Sequence, residues 1–210
     1  MPQVQLYDTT LRDGAQQEGI SFSIADKLKV TQKLDELGIH FIEGGWPGAN
    51  PKDTEFFSKA CHLELGHGVL VAFGSTRRCD ARVTKDAGLR AVIEAGTRVV
   101  TIVGKSWDLH VTQVLETTLE NNLHIIYESV DYLKSKGLTV FFDAEHFFDG
   151  YKANSEYAIQ TVEAAAKGGA DCLVLCDTNG GALPSEVAAA IGAVKKAVVV
   201  PLGFHGHNDG

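Results

Sequence analysis

The sequence predicts a parallel α/β fold, and three observations lead there. Short β-branched or apolar runs alternate with helix-length amphipathic stretches along the 210 residues, the pattern of successive βαβ units. The turn after the first strand reads LRDGAQQEG, with neither the GxGxxG of a dinucleotide site nor a phosphate-loop lysine. Polar residues collect instead at the C-terminal ends of several different strands, where a closed (β/α)8 barrel carries its active groups. That distribution favours a TIM barrel over an open doubly wound sheet.

Strand one is expected over 4–8 and helix one over 23–37, where Ser23 caps SIADKLKVTQKLDELG. Ile24, Leu28, Leu34 and Leu37 recur there at helical spacing, and Gly38 supplies the stop. Strands over 40–46, 69–74 and 98–103 then alternate with helices over 52–64, 84–95 and 118–136. The last of these puts Leu119, Leu123, Ile126, Val130 and Leu133 on one stripe and ends at Gly137. Strands over 139–143, 172–176 and 200–205 enclose helices over 154–168, capped by Asn154, and 184–197, with Pro184 in the first turn. A complete barrel has eight βα units in typically about 250 residues. The series therefore reads as a barrel truncated after strand 7. Residues 1–210 are expected to be the N-terminal portion of a catalytic barrel domain, without helix 7, strand 8, helix 8 or any C-terminal regulatory domain. Strands one and seven would then be edges, which invite self-association.

Composition narrows the partners. A net charge of −8 and a pI near 5.4 come with no basic cluster beyond Arg77-Arg78, so no nucleic-acid partner is expected. No apolar run reaches the roughly 18 residues of a membrane span, and the chain opens into VQLYDTT rather than a signal peptide. No membrane partner and a cytoplasmic location are expected. Cys61, Cys79, Cys172 and Cys176 lack metal or redox spacing and read as reduced, mostly buried thiols.

Asp8, Arg12 and Asp13 follow the first strand, Glu43 ends the second, Ser75 and Arg77 follow the third and Lys105 follows the fourth. Asp143 and Glu145 end the fifth, Asp177, Thr178 and Asn179 the sixth, and His205, His207, Asn208 and Asp209 the seventh. In GFHGHND, residues two apart on a strand share a side, so His205 and His207 present both imidazoles in one direction as a divalent-metal half-site. In DTTLRDG, one reading is a structural ion-pair network. The other gives Asp13 to a metal and leaves Arg12 for substrate charge. Two histidines with a carboxylate suit Zn²⁺, Mn²⁺, Mg²⁺ or Fe²⁺, and the ligand set alone does not choose among them.

Asp143 and Glu145 also share a side, where charge is costly unless used or paired. Glu145 is an acid/base or supporting group, or else the partner of Lys105 or Arg12. His146 reads as a structural histidine. Thr178, in CDTNGG, is either a donor to a substrate carboxylate or a turn residue. Glu43, in IEGGWPG, is given a supporting role orienting Arg12, and Trp46 and Trp107 are read as rim packing.

With DTTLRDG, IEGGWPG, FDAEHF, CDTNG and HGHND in order on successive strands, the chain resembles the DRE-TIM metallolyase superfamily from about residue 4 to its end. That superfamily holds isopropylmalate, homocitrate and citramalate synthases and hydroxymethylglutaryl-CoA lyase. FGSTRR, GKSWDLHV and FDAEHFFDGYK look most like its (R)-citramalate synthase branch. The resemblance implies metal ligands at Asp13, His205 and His207, a catalytic arginine at Arg12, an active-site glutamate at Glu145 and a substrate-carboxylate threonine at Thr178. It implies a divalent metal (Mg, Mn or Zn), acetyl-CoA as co-substrate and a 2-oxo acid, pyruvate on this reading, as the other small-molecule substrate. A homodimer is expected of the full-length form. Isopropylmalate or homocitrate synthesis, retro-Claisen cleavage of an HMG-CoA-like thioester, and an inactive ligand-binding fragment are the alternatives.

Overall fold

Every predicted strand and helix has a counterpart in the computed structural model, which describes residues 4–207. Asn208 and Asp209 lie outside the described residues. The chain runs β1 (Tyr7–Asp8), α1 (Ile24–Glu36), β2 (Phe41–Gly45), α2 (Pro51–Ala60), β3 (Val69–Ser75), α3 (Ala87–Glu94) and β4 (Val99–Lys105). It continues through α4 (Asp108–Gln113), α5 (Leu119–Ser135), β5 (Thr139–Glu145), α6 (Phe147–Ala153), α7 (Ser155–Lys167), β6 (Cys172–Asp177), α8 (Pro184–Ala197) and β7 (Leu202–Gly206). The short helices α4 and α6 are additions to the sequence reading. β1 is shorter than the expected 4–8, because only Tyr7 and Asp8 pair in register, with Phe41 and Ile42.

These elements form two units. The first takes the residues up to Gly74 together with Ala87–Thr101, and the second takes Ser75–Asp86 together with the residues from Ile102 onward. β4 thus begins in one and ends in the other. In the first unit β1, β2 and β3 are parallel neighbours over a core that includes Leu11, Ile42, Phe56, Phe57, Val71 and Leu89. The β2–β3 register slips between Glu43 and Gly45, and Gly45 has φ +148. A Cβ there would collide with the Asp53 carboxylate, so the slip requires glycine.

Helix α1 departs from its predicted stripe. Its cap is as expected: the Ser23 hydroxyl accepts the Asp26 N–H, and the Asp26 carboxylate accepts the Ser23 N–H. Its buried positions, however, are Lys27, Thr31 and Asp35, whereas Leu37 is 74% exposed. Each buried polar group has a specific partner. Lys27 pairs with Asp53, Thr31 Oγ1 donates to the Lys27 carbonyl, and the Asp35 carboxylate accepts the N–H groups of Gly66, His67 and Gly68 at 2.8, 2.8 and 2.6 Å. Those bonds, led by that of Gly68, hold the Asp35 carboxyl below the usual carboxylate range.

In the second unit β5, β6 and β7 are parallel neighbours, with Asp143 opposite Val174 and Cys176 opposite His205. The core beneath them includes Ile126, Leu133, Phe142, Phe147 and Leu173. Thr118 and Asn154 cap α5 and α7 through side-chain oxygens, and Pro184 opens α8. Arg77 is buried as a clamp, donating to Glu128 and to the carbonyls of Arg78 and Ala81. The thiols divide differently from expectation: Cys176 is buried, Cys172 is half-buried, and Cys61 and Cys79 are exposed. Cys61 caps the end of α2 and Cys79 sits in a turn, places that face water. No helix of the described residues is long and apolar enough to cross a membrane.

Candidate active site

In the first unit the chain turns sharply after β1. The N–H groups of Arg12, Asp13 and Gly14 all donate to the Thr9 carbonyl, and buried Leu11 anchors the turn. Asp8 braces it by accepting the Thr10 N–H at 3.0 Å. The turn delivers Arg12 onto the end of β2, where its Nε donates to Glu43 Oε1 at 2.5 Å. Tyr7 donates its hydroxyl to Glu43 Oε2 at 2.5 Å and lies 2.7 Å from Thr101 Oγ1. The Glu43 side chain has no exposure, and this full set of donors is what makes a buried carboxylate tolerable. The guanidinium sits 3.9 Å over the Phe73 ring, with Nη1 3.4 Å from Asp13. Trp46 packs edge-on against Phe73, with centroids 5.2 Å apart. A cavity of about 320 Å³ is lined by Arg12, Lys27, Trp46, Lys52 and Asp53, among others.

In the second unit the ends of β4, β5, β6 and β7 carry the remaining groups. Lys105 pairs with Glu145, both about a quarter exposed. The rings of His205 and His207 are nearly parallel, with centroids 5.1 Å apart, which places both imidazoles on one side of β7. His205 Nδ1 lies 3.9 Å from the buried Asp143 carboxylate. Single ligand atoms of Asp143, Cys176 and His205 fall within 4.8 Å of one another. Thr178 Oγ1 accepts the His146 N–H at 2.9 Å.

Residues 3–210 match the model of the family described as HMGL-like. The chain belongs to that family. It is 58% identical over 207 residues to the (R)-citramalate synthase of Aquifex aeolicus, covering 98% of this chain and 39% of that protein. It is 54% identical over 209 residues to the (R)-citramalate synthase of Geobacter sulfurreducens, covering 100% of this chain and 40% of that one. The chain thus spans about two fifths of the length of these curated relatives. The HMG-CoA lyase of Bacillus subtilis has the same fold, with a TM-score of 0.79 at 21% identity over 98% of this chain and 68% of that one. The HMGL-like chain is accordingly an α/β protein of the TIM-barrel type, with seven strands among the described residues.

The predicted site residues of this HMGL-like chain fall in both units. Arg12, Asp13 and Glu43 are brought together in the first, and Glu145, Thr178, His205 and His207 stand at strand ends in the second. Two imidazoles side by side, with a buried carboxylate beside one of them, are donor chemistry that fits a divalent cation. The sequence reading passed over Tyr7, Thr101, His110 and Asp149. Tyr7 was legible as the last inward position of a strand ending in charge. Thr101 and Asp149 become neighbours only through the fold.

Proposed function

We propose that the polypeptide is a metal-dependent Claisen-type acyltransferase that condenses acetyl-CoA with a 2-oxo acid, pyruvate, to give (R)-citramalate. The observation that carries this reading is the identity to curated (R)-citramalate synthases over essentially the whole chain. Asp13, His205 and His207 are proposed as the ligands of the divalent cation, and a homodimer as the assembly. When bound, such a cation supplies a Lewis acid that polarises a ketone.

The residues then have separate tasks. Arg12 keeps its charge at every working pH and stabilises the oxyanion that develops on the ketone oxygen. Glu43, which holds Arg12 by Nε, leaves the rest of the fork to the substrate and to Asp13. The Thr178 oxygen already accepts the His146 N–H, so its own proton is directed elsewhere, to the substrate carboxylate. Glu145, held by Lys105, acts beside the reacting centre as an acid/base group.

Thiol release from acetyl-CoA in the presence of pyruvate, 2-oxoisovalerate or 2-oxoglutarate tests the reading. Pyruvate is expected to be preferred by at least tenfold, and a chelator to abolish turnover. Preference for a larger 2-oxo acid, or cleavage of HMG-CoA in place of condensation, would sink it.

A further inference from the structure

His146 follows β5 directly and has φ +51 and ψ +36, a left-handed conformation that costs a residue with a Cβ. Two results follow from it. Its N–H is turned onto Thr178, and its ring is turned into a cluster contributed by the β4–α4 connection. The His110 ring meets it edge-on at 4.6 Å, and the Trp107 ring lies 5.9 Å away. Gly150 of α6 lets this approach happen, since any Cβ there would strike the Ser106 carbonyl and Trp107.

The other side of the ring is polar. His146 Nδ1 lies 3.2 Å from Asp149 Oδ2, and the same oxygen accepts from Asn179 Nδ2 at 3.0 Å. An ionised carboxylate only accepts, so the ring proton belongs on Nδ1 and the lone pair on Nε2. The remaining charged neighbours are Lys105 and Glu145, which pair with each other. His110 has a buried Nδ1 without a partner in the structure. Burial first, then the charges of His146 and Lys105, hold His110 below its ordinary value. A neutral neighbour of this kind does not oppose a positive charge on His146.

We propose that His146, oriented by Asp149, is the catalytic base that takes the methyl proton of acetyl-CoA. This rests on the synthase reading above. The methyl C–H bond breaks, the proton joins Nε2, and the electron pair passes into the thioester as its enolate. The enolate carbon then bonds to the ketone carbon of the 2-oxo acid, and the resulting alkoxide takes the proton back from Nε2. The imidazole ends neutral, with no other reactant needed. A purely structural His146 would act through its N–H alone, and the two roles separate by substitution.

The test compares His146→Gly, which relieves the left-handed strain and keeps the N–H, with His146→Ala and Asp149→Asn in the thiol-release assay. Both His146 variants are expected to lose about 10²–10⁴-fold in kcat, with the KM for pyruvate within threefold, and added imidazole is expected to restore His146→Gly at least tenfold. Asp149→Asn is expected to lose about tenfold, and ¹⁵N spectra to show the Nδ1–H tautomer of His146 only while Asp149 is present. A folded His146→Gly within threefold of the unaltered protein, a failure of imidazole to rescue, or an Nε2–H tautomer overturns the proposal alone. An unaltered protein silent with acetyl-CoA and every 2-oxo acid overturns the synthase reading and this proposal together.

Discussion

The Lys27–Asp53 pair of the first unit and the Lys105–Glu145 pair of the second use the same two functional groups in different solvent. The side chains of the first pair are 4% and 9% exposed, those of the second 25% and 26%. Asp53 spends its other oxygen on the Trp46 N–H at 2.9 Å, so every lone pair of that carboxylate faces protein. Removing a partner there strands a charge without water. At Glu145, water can replace the lysine. A deeply buried pair therefore specifies structure, whereas a half-exposed one leaves a carboxylate available for chemistry.

The largest test of that contrast is Lys27→Met, expected to cost about 3–5 kcal/mol in urea unfolding because Asp53 keeps its charge in the dry interior. Lys105→Met is expected to cost no more than about 1 kcal/mol in the same measurement while lowering kcat at least tenfold. Equal losses of stability in the two variants would break the comparison.

A second test stays in the first unit. Asp35→Asn removes the charge that accepts three backbone N–H groups and is expected to cost about 1.5–3 kcal/mol. The folded carboxyl is held below its unfolded value of about 3.9, so its contribution is complete above that pH and is lost as pH falls through the lowered folded value. Unfolding curves of Asp35→Asn and of the unaltered chain should therefore converge in acid.

In the second unit, His110→Phe is expected to change stability by less than about 1 kcal/mol at pH 8, since the ring there is neutral and one nitrogen makes no bond. The folded His110 pKa lies below the ordinary 6.5, so the unfolded chain binds the proton more readily, and stability falls as pH drops below that value. His110→Phe should flatten that part of the profile. The smallest effect is expected for Lys59→Ala, within about 0.5 kcal/mol, because Lys59 and Glu55 are both about half exposed.

Strand-end chemistry was the most legible part of the sequence. Period-2 geometry alone puts His205 beside His207, and a short turn after β1 puts Arg12 near its neighbouring strand. Helix α1 shows where such reasoning stops. Apolar periodicity ranks Lys27 and Asp35 as surface residues, yet their partners lie at Asp53 and at Gly66–Gly68, which no local pattern connects to them. α4 and α6, six and seven residues long, are too short to show a helical period. His146 looked solitary for the same reason: its surroundings come from α4, from α6 and from the loop after β6.

The distribution of thiols makes the unmodified chain ready for a distance measurement. Cys61 belongs to the first unit and Cys79 to the second, and both are exposed. Cys172 resists alkylation because burial, then Asp143 and Asp171, push its thiol up to about 11, and Cys176 is closed off from reagent. A maleimide spin label or dye pair at pH 7 would therefore mark one point in each unit without a single substitution. Its distance distribution would report whether the halves of the polypeptide move as one body.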